Sequence, residues 1–504
     1  MAKSLNKQRF LNSRFSAVAG NLPSPTLLLA CLLALPQLLT AASVKLPDLG
    51  VNASSVFSPE LDRRIGAAFM RQVRGSLSVM DDPEMQAYVR ELGLNLASNS
   101  DRPELRFNFF LVDNPVINAF AGPGGNIGIH SGLVRITESE SELASVFAHE
   151  ISHVTQRHLP RAFERQSQLS TPTLAAMIGA LILTAANPQA GQAALLAVQG
   201  GRAQAQIDFT RVNEQEADRV GIELLTRSGF NPRAMPNFFG RMAEASKYSR
   251  GNDIPEFLLT HPVTRSRISE SLTRIEKLPH LEYEDSLGYS HFAARVRATL
   301  GGKPADQALI KFSQELKSGE YENEPAHRYG YAYALLADRQ YQQAERQSQW
   351  LLARAPHYLP YQTLKIRLLL AQKRYQQAEA MINESLTLFP GSGSLLLLGG
   401  EALLFTGKFE QAAQVVEAYI QQHYSDPNGY RLQSRIAAQS KRTILAYQME
   451  AEYHYWAGDL RQGIEALREA ARQDRVNFIT LSKIENRLRF FQSELAAEQQ
   501  IFGG

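Results

Sequence analysis

A single cysteine, Cys31, stands in the 504 residues, within an N-terminal stretch that reads as an export signal. With that stretch removed the chain can form no disulfide and offers no thiolate for nucleophilic attack or metal binding. Charge of one sign is equally scarce. Fifty-three Lys+Arg against 50 Asp+Glu leave a formal net charge of +3, which provides no basic field for nucleic acid and no acidic tail. No nucleic-acid partner is expected. Long apolar runs are missing too: Leu27 to Leu39 is interrupted by Pro36 and falls short of the ~20 residues a helical span needs. Preceded by Lys3, Lys7, Arg9 and Arg14 and followed by Thr40-Ala41-Ala42, that run fits a signal peptide over residues 1–42, cleaved near Ala42. The expected destination is a Gram-negative periplasm.

What is present is His149-Glu150-Ile151-Ser152-His153. On a helix, positions four apart lie one above the other, so the two imidazoles converge while Glu150 projects beside them. Two neutral imidazoles can bind Zn²⁺, and the carboxylate can take a proton from water activated there. Leu143, Val146, Phe147, Ile151 and Val154 supply helix-period apolar positions. Thr137 with Glu140 reads as the capping box, and Pro160 as the stop.

A catalytic site of this kind needs a third protein ligand. The segment Arg211 to Gly221, continued by Ile222, Leu224 and Leu225 and ended by Gly229 and Pro232, predicts a helix with Glu214 and Asp218 on one face. A solvated acidic face paired with Arg211 and Arg219 is the competing reading. Following the first motif, Glu214-Gln215-Glu216-Ala217-Asp218 with Gly221 resembles the second helix of the M48 peptidases. The resemblance implies that Glu214 is the third ligand to one Zn²⁺ per chain and that Asp218 is a catalytic-site acid orienting a ligand histidine. Glu216, about 200° around the helix from Glu214, is the rival ligand. The same family has a Gly-rich segment before the zinc helix, matched by Asn118 to Leu133. It predicts an edge strand able to pair with an extended substrate through Gly124, Gly125, Ile127 and Ile129; a plain hairpin with a Gly turn is the alternative. Thr260-His261-Pro262 with Arg267-Ile268 also resembles a family segment. His261 is expected either to stabilise an oxyanion or to occupy the open metal position as a gate. His130 and His158 lack partner spacing and read as surface or core residues.

Between the two zinc helices, Leu174 to Ala186 and Ala193 to Val198 form an apolar insert. It is too short to cross a bilayer and reads as a buried helical hairpin, or as a lid leaning on a membrane or an unfolded client. After residue 320 the chain repeats itself. Tyr341-Gln342-Gln343-Ala344, Tyr375-Gln376-Gln377-Ala378 and Phe409-Glu410-Gln411-Ala412 recur at 375 − 341 = 34 and 409 − 375 = 34, the period of tetratricopeptide repeats. A fourth unit at Gly458 and Leu460 lies out of phase, since 460 − 409 = 51, which predicts an extra helix around Tyr430 to Ser440.

The expected fold is mostly α: an α+β zincin-type metalloprotease domain with a small edge-strand sheet over 43–300, then an α-solenoid of tetratricopeptide repeats over 301–504. For an exported M48 chain with repeats, the resemblance implies an endopeptidase with a chaperone-like role in assembly and quality control of outer-membrane β-barrel proteins. Unfolded or misassembled outer-membrane proteins are the expected substrates, and the barrel-assembly machinery is the expected partner of the repeats. Peripheral membrane contact is also allowed for. A repeat-based chaperone or adaptor with a quiescent, gated metal site is the other reading.

Overall fold

The computed structural model describes residues 58–164, 203–247, 255–278, 282–300, 305–474 and 476–502, with five isolated positions between 176 and 191. The expected signal peptide and nearly all of the apolar insert lie outside the described residues. Those described belong to one compact unit, Ala53–Gly504. Among them, no helix is long and apolar enough to cross a membrane.

Helix α1, Pro59–Ser76, begins with Ser58 accepting from Leu61 N and with proline at its first position, and α2, Pro83–Ser98, begins on the Asp82 carboxylate. Three strands follow: β1, Asn108–Val112; β2, Ala119–Gly122; and β3, Asn126–His130. Their order is β1-β3-β2, with β3 parallel to β1 and antiparallel to β2. The central strand, β3, is buried along its whole length, whereas β2 lies at the edge. The turn Pro123–Gly125 joins β2 to β3, with Gly124 and Gly125 at φ +70° and +73°. A Cβ on Gly125 would stand 2.2 Å from the Arg106 carbonyl oxygen, and one on Gly124 2.9 Å from the Gly66 Cα of α1. Only glycine fits between the turn and its neighbours.

Helix α3, Glu140–Thr155, is capped by Ser139, which accepts from Glu142 N, while Glu142 accepts in turn from Glu138 N. The cap thus falls two residues after the expected Thr137, whose hydroxyl donates to the Val134 carbonyl instead. Nor does Pro160 stop this helix: α3 ends at Thr155, Arg157 adopts φ +56°, and Pro160 sits inside the next helix, α4, His158–Glu164. Leu143, Val146, Phe147 and Ile151 are fully buried, Phe147 edge-on to Phe109 of β1. Against α3 lies α5, Ala203–Arg227. Gly221 permits the approach, since a Cβ there would meet Met235 at 2.8 Å and the Ala148 carbonyl at 3.4 Å. Helices α6, Ala234–Lys247, α7, Arg265–Ile275, and α8, Leu287–Thr299, complete this half.

From α9, Ala305–Ser318, the chain becomes an array of helix pairs. The pairs are α10, Glu324–Ala337, with α11, Tyr341–Arg354; α12, Leu359–Ala371, with α13, Tyr375–Leu388; and α14, Gly393–Phe405, with α15, Phe409–Gln422. Then come α16, Pro427–Gln439, with α17, Thr443–Ala457, and α18, Leu460–Ala471, with the long final α19, Phe478–Phe502. The fourth unit therefore stays in phase: 443 − 409 = 34, Ala446 follows Ala412, and the expected extra helix is the first member of the fourth pair. Each of the first four pairs turns through a left-handed residue at the same phase, Arg339, Lys373, Gly407 and Lys441. In each, the next N–H bonds back to a carbonyl five residues earlier, as in Arg374 N to Leu369 O at 2.9 Å.

The two halves meet through buried charge. Asp82 pairs with Arg295 of α8 and, at 2.7 Å, with Arg367 of α12. Tyr329 of α10 donates to Glu84 at 2.7 Å. At the far end Arg71 of α1 pairs with Glu498 and Glu494 of α19, and a Cβ on Gly458 would lie 2.1 Å from the Arg71 carbonyl oxygen.

Candidate metal centre

The α3–α5 packing brings the expected residues together. His149 Nε2 and His153 Nε2 are 3.0 Å apart. Glu214 of α5 sets Oε2 3.3 Å from the first and Oε1 3.4 Å from the second. His261, which caps the short helix Glu256–Thr260, brings Nδ1 within 3.2 Å of His149 Nε2 and 3.1 Å of Glu214 Oε1. A tetrahedral zinc with Zn–N of 2.0–2.1 Å has ligand–ligand edges of about 3.3 Å. With Glu214 represented by Oε2, four of the six edges here fall within 3.0–3.3 Å, and one ligand atom from each of the four residues lies within 4.8 Å of the others. These residues fit a divalent metal. Glu216 does not join them; it bonds His158 and Arg161.

Glu150 is 1% exposed; its Oε1 accepts no hydrogen bond but stands 3.4 Å from His261 Nε2, and the Ala121 N–H of β2 donates to its carboxylate. Burial raises its pKa, against the pull of His261 and His149, the shift a general base needs. Asp218 Oδ1 stands 3.1 Å from His149 Nδ1. Arg267 of α7 clamps Asp218 with two bonds of 2.7 and 2.8 Å and reaches Glu214 at 3.0 Å. Burial disfavours a charged His149, yet the Asp218 and Glu214 carboxylates prevail and hold it up to about 9. Burial likewise opposes ionisation of Glu214, but the facing His261 and His153 bring it well below the usual carboxylate range. Desolvation pushes His153 well below its ordinary value.

Two residues of this shell escaped the sequence reading. Arg267 lay in the quoted Arg267-Ile268 pair without a role; its signal was a basic residue one helix start beyond His261. His158 was read as surface or core, whereas its Nδ1 meets His153 Nδ1 at 2.8 Å. A third histidine just past the zinc helix was the available signal. The Gly-rich segment divides. Gly124 and Gly125 make the turn, and Ile127 and Ile129 lie fully buried on the central strand with both edges taken. The edge beside Glu150 belongs to β2. Because His130 N bonds Asn118 O, the alternation of an antiparallel pair turns the main-chain groups of Ala119 and Ala121 outward.

Above the ligands opens a cleft of about 1720 Å³. Its floor carries Glu150, His153, Glu214 and His261; Asn118 to Asn126 form one wall, and Tyr424, Ser425, Tyr455 and Trp456 of the repeats contribute another.

The profile of peptidase family M48 matches residues 83–275, the span that holds every ligand. A tetratricopeptide-repeat profile matches 369–436. The beta-barrel assembly-enhancing protease of Escherichia coli is 35% identical over 445 residues, 88% of this chain and 90% of that protein. The chain belongs to peptidase family M48. It is a metallopeptidase with an intact His-His-Glu site and a repeat array. A putative beta-barrel assembly-enhancing protease of Vibrio cholerae is 37% identical over 82% of this chain and 85% of its own. A more distant relative, the mitochondrial metalloendopeptidase OMA1 of Arabidopsis thaliana, is 25% identical across 38% of this chain and 36% of its own.

Proposed function

We propose that this protein is a zinc endopeptidase of the Gram-negative periplasm that acts on unfolded or misassembled outer-membrane β-barrel proteins. The repeats would hold the client or the barrel-assembly machinery nearby. The observation that carries the proteolytic reading is the convergence of His149, His153, Glu214 and His261 at the floor of a cleft lined by an edge strand. The names of the relatives matched over most of their length support the choice of client.

Zinc held by His149, His153 and Glu214 would supply Lewis-acid activation of water and of the scissile carbonyl. Glu150, whose Oε1 stands 3.4 Å from His261 Nε2, takes the proton. Asp218 keeps a proton on His149 Nδ1, so Nε2 is the nitrogen that would give up its proton to hold the metal, and Arg267 immobilises Asp218 and Glu214 together. The outward carbonyls of Ala119 and Ala121 would align an extended substrate by strand addition, their N–H groups being held by Asn118 Oδ1 and the Glu150 carboxylate.

Metal analysis, coupled to digestion of an unfolded barrel protein with and without chelator, tests this reading. About one zinc per chain and chelator-sensitive cleavage are expected; metal-independent cleavage, or none in any state, would defeat it.

The ligand set also favours the gated form of the second reading, because His261 Nδ1 stands at the fourth corner, where water would otherwise enter. His261→Ala should then raise basal proteolysis. A fall of roughly two orders of magnitude would assign His261 to the oxyanion instead.

A further inference from the structure

Each metal-facing imidazole has one ring nitrogen left over, and the two helix-borne ligands use theirs differently. His149 Nδ1 meets a buried carboxylate, Asp218. His153 Nδ1 meets another imidazole, His158 Nδ1, at 2.8 Å, with the ring centres 4.8 Å apart and the planes at 80°. Beyond it, His158 Nε2 lies 3.0 Å from Glu216 Oε2. Glu216 also accepts from Arg161 Nη1 at 3.1 Å, and Arg161 donates to the Gln156 carbonyl, closing the group onto the end of α3.

We infer that His158 is a positioning residue for the metal ligand His153, held in place by Glu216 and Arg161. The proton placement follows from the ends of the chain. His153 Nε2 faces the other ligands and must present a lone pair, so its proton is on Nδ1 and is donated to His158 Nδ1. His158 therefore carries its own proton on Nε2 and donates it to Glu216, which can only accept. No other neutral arrangement leaves both contacts bonded. The backbone is shaped to allow this. Continued as α-helix, a residue five beyond His153 would point about 140° away from it; the left-handed Arg157 folds the chain back so that α4 opens with His158 against the ligand. His158 is 5% exposed, so no water substitutes freely for the partner it offers.

The inference rests on the metalloprotease reading, and its test separates the two. Zinc affinity of the full-length protein is measured by chelator competition, alongside kcat, KM and the melting temperature of the zinc-free protein. His158→Leu should weaken zinc binding about 10–100-fold and lower kcat with KM unchanged, without shifting the zinc-free melting temperature. His158→Gln, whose amide can accept from one side and donate to the other, should recover most of the affinity. Glu216→Leu should weaken binding less, and should add nothing when combined with His158→Leu. Affinity within twofold of the unaltered protein in His158→Leu, or strict additivity of the pair, overturns the assignment. Should His158→Leu fail to fold, Glu216→Leu decides by the same affinity measurement. An unaltered protein that binds no zinc would instead defeat the metalloprotease reading itself.

Discussion

The catalytic half and the repeat half are ordered by opposite means. Around the metal centre the buried groups that hold the ligands are polar and specifically paired: Arg267 grips Asp218 and Glu214, Asp218 meets His149, and His158 meets His153. In the repeats the buried groups are mostly apolar and interchangeable, with Ala344, Ala378 and Ala412 fully buried at one phase of three successive units. The first arrangement concentrates function in a few contacts whose loss nothing nearby can offset. The second spreads stability over many equivalent interfaces, each touching only its neighbours. Damage in the catalytic half should therefore be abrupt and chemical, and damage in the repeats graded and structural.

The largest expected effect is chemical and should leave structure alone. Glu150→Gln should lower turnover about 10²–10⁴-fold, the usual contribution of a general base, while zinc content stays at the unaltered level. Loss of zinc together with activity would mean that Glu150 belongs to the ligand shell, and the comparison would blur.

Next comes the junction, where buried charge joins the two kinds of order. Burial alone would raise the Asp82 pKa, but Arg367 and Arg295 outweigh it and hold the carboxyl below its ordinary range. Asp82→Asn keeps the acceptor that caps α2 and removes the charge, leaving two buried guanidinium groups short of a partner. A loss of about 3–5 kcal/mol is expected, read as separate denaturant transitions for the two halves. One cooperative transition at unchanged midpoint would show that the halves do not depend on this link.

A smaller effect at the same junction depends on pH. His291 of α8 donates from Nδ1 to the Leu287 carbonyl and accepts from Tyr361 of α12 at 2.8 Å, and burial pushes it down to about 4. With a folded pKa below the unfolded ~6.5, the unfolded chain binds the proton first as pH falls. The contribution is present above pH ~6.5, declines through the window down to about 4, and is about 2 kcal/mol smaller at pH 5. Denaturant titrations at pH 7.5 and 5 should show this slope, and His291→Gln should flatten it. An equal slope in both proteins would remove His291 from the account.

The smallest effect probes how interchangeable the repeats are. Lys373 holds the left-handed turn that Gly407 fills one unit later, with φ +59° and +75°. Lys373→Gly should stabilise the protein by about 0.5–1 kcal/mol, relief of the αL conformation exceeding the added freedom of the unfolded chain. Destabilisation in a thermal melt would mean that the two turns are not equivalent.

Much of the centre was legible in the sequence because its ligands come from helical spacings. His149, His153 and Glu150 lie within one turn and a third of helix, and Glu214 and Asp218 within one more. His158 was not legible, since its contact depends on the positive φ at Arg157, which a bulky charged residue does not announce. Strand order was hidden for a related reason: β3 pairs in parallel with β1 across an intervening edge strand, so the Gly-rich motif placed Ile127 and Ile129 near the site without telling which edge was free. In the repeats the 34-residue period was plain until Thr443 replaced the aromatic residue. The smaller signals that stayed in phase were Ala446 and Lys441.

The wall that the repeats raise over the cleft has a consequence for what can be degraded. Tyr424, Tyr455 and Trp456 line the same cleft as β2, so a substrate bound there by strand addition has to be a length of chain thin enough to enter and with main-chain groups of its own unsatisfied. If the clients are the β-barrel proteins proposed above, a barrel that has closed offers neither, because closure leaves no strand edge unpaired. A barrel that has stalled offers both. Discrimination between finished and unfinished clients would then require no recognition of sequence: topological completion itself would confer immunity, and time spent incomplete would set the risk of destruction.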